Sequence, residues 1–161
     1  MPGLALQVGH EDERVRRSVA GALGKIGSPQ ALEPLRQLMA DPVPAVRLRA
    51  VASLNPRRAQ SLVPPLVSLL GKETQAEVIR ETAATLGRIG SPEALKALVA
   101  FAQPSQRLLG IGGRPAEQRV WAVEALALAG SGGKGSLRTL SRDGDEPVRM
   151  AAVAALSDLG R

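Results

Sequence analysis

Residues 24–35 read Gly-Lys-Ile-Gly-Ser-Pro-Gln-Ala-Leu-Glu-Pro-Leu, and most of them return 63 positions later as Gly87, Ile89, Gly90, Ser91, Pro92, Ala94, Leu95 and Leu98. So long an echo in a chain of 161 residues is internal repetition. Repetition at a fixed spacing marks a stack of like units, each burying its apolar face only against its neighbours. A second marker sets the period: Val15-Arg16 returns at Val46-Arg47, then as Val78 with Arg80, and finally as Val148-Arg149, with first intervals of 31 and 32 residues. The interval from Val78 to Val148 is longer than two such units, so one copy carries an insertion, and Gln118-Arg119 anchors the fourth.

Each unit reads as two helices. Val15, Val19, Ala22, Leu23 and Ile26 form one stripe at helical spacing, and Val148, Ala152, Ala155, Leu156 and Leu159 repeat it. A second stripe follows as Leu32, Leu35, Leu38 and Met39, then Val63, Leu66, Leu69 and Leu70, then Leu95, Leu98 and Phe101. Between the helices, Gly27 and Gly90 supply a left-handed helix end, Ser28 and Ser91 an N-cap, and Pro29 and Pro92 a first turn. Pro44, Pro115 and Pro147 sit at first-turn positions of first helices, after Asp41 or after Asp145 and Glu146. Pro34 and Pro65 fall inside the second stripes and are expected to kink or delay those helices. No strand alternation is visible.

The stretch Asp41–Arg47, the Leu-Gly-x-Ile-Gly-Ser-Pro turns at Leu23–Pro29 and Leu86–Pro92, and the Ala-Leu-x-x-Leu second helix resemble HEAT repeats, in the short flavour of the phycobilin lyase type. The resemblance covers most of residues 10–161. It implies an all-α fold, a right-handed α-solenoid of about four and a half two-helix HEAT-like repeats. The units are approximately 10–40, 41–70, 71–102, 115–143 and 144–161, with an insertion loop at 103–114, in a single domain 1–161. The resemblance also implies a polar ladder between stacked units, made by an acid and an Arg six residues on. Asp41 with Arg47 and Asp143 with Arg149 match that spacing; His10 before Arg16, Glu73 seven before Arg80 and Gly113 before Arg119 do not, so breaks are expected there.

Composition agrees with close helix stacking: 44% hydrophobic residues but 1% aromatic, so small aliphatic side chains dominate. Without cysteine there is no disulfide, thiolate metal site or cysteine nucleophile, and His10 as sole histidine cannot build a histidine metal cluster or relay. The start carries no basic segment and apolar run of a signal peptide, and no apolar run reaches the roughly 20 residues of a membrane span, so the expectation is a cytoplasmic protein. Gly130-Ser131-Gly132-Gly133-Lys134-Gly135-Ser136 imitates a phosphate loop but lacks Ser or Thr after the lysine and a preceding strand, and reads as a turn between helices. No catalytic residue, cofactor or metal is assigned.

The charge of +6 favours an acidic partner, yet Arg16 and Arg17 stand among Glu11, Asp12 and Glu13, and Arg47 and Arg149 are ladder residues. Lys134, Arg138 and Arg142 are spaced by four on the fourth unit's second helix, with Lys96 in the preceding one. Second helices of HEAT-like stacks line a concave face, so these would form a positive end to a groove carrying Glu33, Arg36, Gln37 and Ser68; a basic helix face without a ligand has the same pattern. Trp121 and Phe101 read as core rather than as stacking platforms. In the insertion, Leu108, Leu109 and Ile111, flanked by Arg107 and Arg114, either dock a partner or fold back over the third and fourth units. Met150, Val153 and Leu156 on the last helix lack a sequence partner, which leaves open a cap, a longer protein or a self-associating copy.

These features favour a non-catalytic scaffold or adaptor that binds a protein partner. Nucleic-acid or polyanion binding through a basic concave face is the second reading. Accessory action on a bilin chromoprotein follows from the lyase-type resemblance alone.

Overall fold

The computed structural model describes Gly3 and residues 6–104 and 114–161. The described residues are helical, with tight turns and no strand. The helices are α1 (Glu13–Ile26), α2 (Leu32–Leu38), α3 (Pro44–Ala52), α4 (Val63–Lys72), α5 (Ala76–Ile89), α6 (Pro92–Ala102), α7 (Ala116–Leu128), α8 (Lys134–Leu140) and α9 (Glu146–Gly160). The all-α repeat read from the sequence is therefore the fold. The chain falls into two compact units, Met1–Thr85 and Leu86–Arg161, whose boundary lies within α5.

In the first unit α1 packs against α2 and α3, and α2 against α3. Val19, Leu23, Leu35, Leu38, Val46, Val51, Leu62, Val63 and Leu66 form its core. In the second unit α7 packs against α6, α8 and α9, with Leu98, Phe101, Val123, Leu126, Leu137, Leu140 and Val148 buried. The core-facing members of both stripes are thus internal. Their outer members are not: Ile26 is exposed, and Leu32, Leu69 and Leu95 are half-buried.

The inter-helix turns show how the repeat is written locally. Gly27 and Gly90 adopt φ 58° and 64°, conformations that cost other residues strain, and their amides return to the Leu23 and Leu86 carbonyls. Ser91 then caps α6 through its hydroxyl, which accepts from the Ala94 amide at 3.2 Å. Ser28 does not cap its helix, contrary to expectation. There the chain first enters a 3₁₀ turn, Pro29–Ala31, and the Ala31 amide is taken by the Ser28 carbonyl, leaving the buried hydroxyl without a partner. The prolines explain the delay: Pro34 and Pro65 each stand third in α2 and α4, where the missing amide is an orphan anyway. Each helix therefore starts after a 3₁₀ turn, Pro29–Ala31 or Ala59–Leu62, instead of kinking midway. Gly130–Gly133 likewise forms a 3₁₀ turn into α8.

Two aromatic expectations separate. Phe101 is buried, whereas Trp121 is only half-buried, because Arg119, Ala122, Val123 and Leu126 take the inward face of α7 and leave Trp121 on its flank.

Gly90→Ala should destabilise the protein by about 1–2 kcal/mol, the cost of a left-handed residue with a Cβ, and Gly90→Asn by less. Chemical denaturation monitored by helical circular dichroism checks both.

Candidate functional site

The polar residues of the repeat assemble where one first helix meets the turn that opens the next. Arg16 on α1 donates through Nε and Nη2 to both Asp41 carboxylate oxygens, at 2.6 and 3.0 Å. Its Nη1 donates to the His10 and Glu11 carbonyls at 2.7 and 2.9 Å. Arg47 on α3 repeats the arrangement: Nε and Nη2 reach Glu73 at 2.7 and 2.9 Å, and Nη1 reaches the Asp41 and Pro42 carbonyls at 2.8 and 3.0 Å. A planar guanidinium thus uses one edge to grip its own turn and the other to hold the next repeat's carboxylate in bidentate fashion.

Each carboxylate also organises backbone. Asp41 accepts from the Val43 amide at 2.9 Å; Glu73 accepts from the Thr74 and Gln75 amides at 2.9 and 3.0 Å. Burial alone would push both carboxyls up, but the arginines and these amides outweigh it and hold Asp41 and Glu73 below the ordinary carboxylate range. Arg16 is raised reciprocally, first by its hydrogen bond to Asp41.

At Arg16 and Arg47 the residue six before the arginine therefore acts through its backbone carbonyl, and the carboxylate that is gripped belongs to the following repeat. This is why His10 causes no break at Arg16, and why the seven-residue spacing of Glu73 from Arg80 is immaterial to Arg47. Asp41 and Arg47 are joined through the Asp41 carbonyl, with their charged partners being Arg16 and Glu73. In the second unit Asp143 stands against Arg119, while Arg149 grips the Asp143 and Gly144 carbonyls at 2.8 and 3.4 Å.

Among the described residues Arg119 is the most deeply buried charge, 1% exposed. Its Nε donates to the Ala102 carbonyl at 2.6 Å, and its two terminal nitrogens pair with Asp143 and Asp145. Sequence spacing missed it because Gly113 occupies the position six earlier; the doubled acid of Asp143-Gly144-Asp145 was the available signal.

In the first unit the second helices and this ladder enclose an open groove of about 430 Å³. Met39, Pro65 and Leu69 give it an apolar wall, Asp41, Arg47 and Glu73 an ionic floor, and Arg36, Ser68 and Lys72 a polar rim. Arg36 is held by Glu33 on its own helix, at 2.7 and 2.5 Å, and that contact lowers the Glu33 carboxyl and raises Arg36.

The other sequence candidates are placed as follows. Lys96 is exposed on α6, Lys134 is half-buried at the start of α8, and Arg138 is exposed in its last turn. Arg142 lies beyond the helix, which ends at Leu140, so the four-residue spacing does not continue along one helical face. Arg114 turns inward: its guanidinium lies 3.7 Å over the Phe101 ring and donates to the Phe101 carbonyl at 3.0 Å. Burial, and then the neighbouring Arg119 charge, lower its pKa. Arg107, Leu108, Leu109 and Ile111 lie outside the described residues. Among the described residues no group of His, Cys, Asp and Glu is arranged to hold a metal ion, and no helix is long and apolar enough to cross a membrane.

Paired helices repeated about every 31 residues and tied by arginines that link one repeat to the next define an α-helical repeat protein. A family model described as HEAT repeats matches residues 2–55 and 33–111, more than half of the chain, which therefore belongs to the HEAT-repeat family. No curated protein matches the chain. Among solved structures it is similar to an engineered protein at 23% identity and TM-score 0.55, covering 98% of this chain and 78% of that one. It is also similar to a computationally designed armadillo repeat protein for modular peptide recognition, at 24% identity and TM-score 0.54, covering 99% and 87%. Both likenesses concern the fold.

Replacing Arg119 by Met should cost about 2–4 kcal/mol, because Asp143 loses its partner in a mostly dry site, whereas Asp145→Ala, at an exposed rim, should cost under about 1 kcal/mol. Urea unfolding of the two variants checks the contrast. Because Asp41 and Glu73 titrate lower in the folded chain, the unfolded chain takes up more protons as pH falls through about 4, so the stability they contribute is present above that range and lost below it. The melting temperature should stay nearly flat from about pH 7 to 5 and fall below about 4, less steeply in Asp41→Asn and Glu73→Gln.

Proposed function

We propose that this protein is a non-catalytic scaffold or adaptor that binds a protein partner, and that the first-unit groove seats an extended segment of it. The observation that carries the reading is the pairing of chemistries in one groove. Met39, Pro65 and Leu69 offer an apolar side chain somewhere to rest, and Lys72 on the rim favours an acidic residue beside it. The floor is preorganised, since Arg47 is fixed by four hydrogen bonds to Glu73 and two carbonyls. A rigid seat spares a bound segment the cost of ordering its host. HEAT- and armadillo-like repeats commonly mediate protein–protein interaction, and the similar designed armadillo protein was made for peptide recognition, which supports the same use of the surface here.

Selection from a library of extended peptides should enrich sequences with an aliphatic residue near an Asp or Glu. Ser68→Arg, which fills the groove from an exposed position, should weaken an enriched peptide at least tenfold by fluorescence anisotropy with no change in melting temperature. Lys72→Glu should select against the acidic residue. Enriched peptides that ignore both substitutions, or steeply salt-dependent binding of random DNA in preference to any peptide, would contradict the assignment.

A further inference from the structure

A second depression lies on the first-helix side of the first unit, with a volume of about 530 Å³, lined by Arg17, Ser18, Gly21, Ala22, Lys25 and Arg49. Arg17, Gly21 and Lys25 follow one another at four-residue spacing and so share one face of α1, while Arg49 comes across from α3. The depression has three cations and no acid in its lining. Elsewhere in this unit three arginines are paired: Arg16 holds Asp41, Arg36 holds Glu33, and Arg47 holds Glu73. Among the described residues, Arg17, Lys25 and Arg49 enter no ion pair.

The arrangement is built by packing. The Arg49 guanidinium lies against the bare backbone of Gly21, where a Cβ would come 2.6 Å from its Nη2 and 2.9 Å from its Nε. The missing side chain leaves room for the Arg49 guanidinium against α1 at Gly21, the position one turn from both Arg17 and Lys25. Three like charges lining one hollow repel one another, and an anion placed among them relieves that repulsion while receiving N–H donors. The Ser18 hydroxyl adds a neutral donor.

We propose that this hollow binds a phosphate monoester, the tetrahedral dianion whose charge and several acceptor oxygens suit three cations lining one hollow better than a single carboxylate does. The cluster is compact and confined to two helices, which fits one phosphate group rather than the repeated phosphodiesters of a nucleic-acid strand, for which a track of cations and stacking platforms would be needed. The same group could be free phosphate or a phosphorylated side chain of a partner, and the test separates them.

Binding is measured by calorimetry with three probes at matched ionic strength: inorganic phosphate, a short phosphoserine peptide beside its unphosphorylated form, and a random single-stranded DNA of ten nucleotides. The phosphoserine peptide or inorganic phosphate should bind, the unphosphorylated peptide should not, and the stronger of the first two identifies the source. Arg49→Gln, an exposed substitution, should weaken binding at least tenfold without altering the melting temperature. Gly21→Ala keeps all three charges yet displaces the Arg49 guanidinium, and should weaken binding at least threefold in a folded protein. Phosphate probes that bind no better than chloride would overturn the assignment. So would affinity unchanged by Arg49→Gln, or tighter Arg49-dependent binding of the DNA than of either monoester probe.

Discussion

The structure depends on a guanidinium that is held by its own turn and holds the acid of the next. Small aliphatic side chains drive the helices together, but apolar burial is non-directional and would tolerate a hairpin sliding or rotating on its neighbour. The arginines add direction. At Arg16 and Arg47, one nitrogen is fixed to two backbone carbonyls, and the Nε and Nη2 edge meets a carboxylate that is itself fixed to backbone amides. Every partner is tied to main chain, so the contact sets position, angle and register together. Arg119 does the same work in the second unit with a different grip, taking the Ala102 carbonyl with Nε and two aspartates with its terminal nitrogens.

The same device shapes the surfaces on which function is proposed. In the first unit the ladder forms the floor of the groove beside Met39, Pro65 and Leu69, so the residues that set repeat geometry also stiffen the place where a partner segment would lie. Because the ladder neutralises Arg16 and Arg47, the positive charge of the chain resides in other residues. Arg17, Lys25 and Arg49 concentrate part of it in one hollow, where Gly21 makes room.

The fold was legible in the chain because it is written in local signals that repeat. Glycine at a left-handed helix end, proline in the first turn and apolar stripes at helical spacing each carry their own mechanism, and they agree with one another. What was hidden depends on partners distant in sequence. The break expected at His10 did not occur because that position contributes a carbonyl, which any residue can supply. The role of Arg119 is hidden from a six-residue spacing because its carboxylates lie about one repeat downstream rather than upstream. Ser28 and Ser91 stand in matching local sequence, yet only Ser91 caps, since the 3₁₀ turn after Ser28 consumes the amide first. The basic series Lys134, Arg138 and Arg142 has the spacing of one helical face, but α8 stops at Leu140, before Arg142. Gly21 and Arg49 are 28 residues apart and reveal their relation only when α1 and α3 are packed.

The most direct test of the ladder as the element that registers successive repeats is a double-mutant cycle on Arg47 and Glu73, using Arg47→Met, Glu73→Gln and the pair, each measured by urea unfolding. A coupling energy of at least about 1 kcal/mol is expected for a bidentate, backbone-anchored pair. Strictly additive single effects, with coupling near zero, would contradict the account.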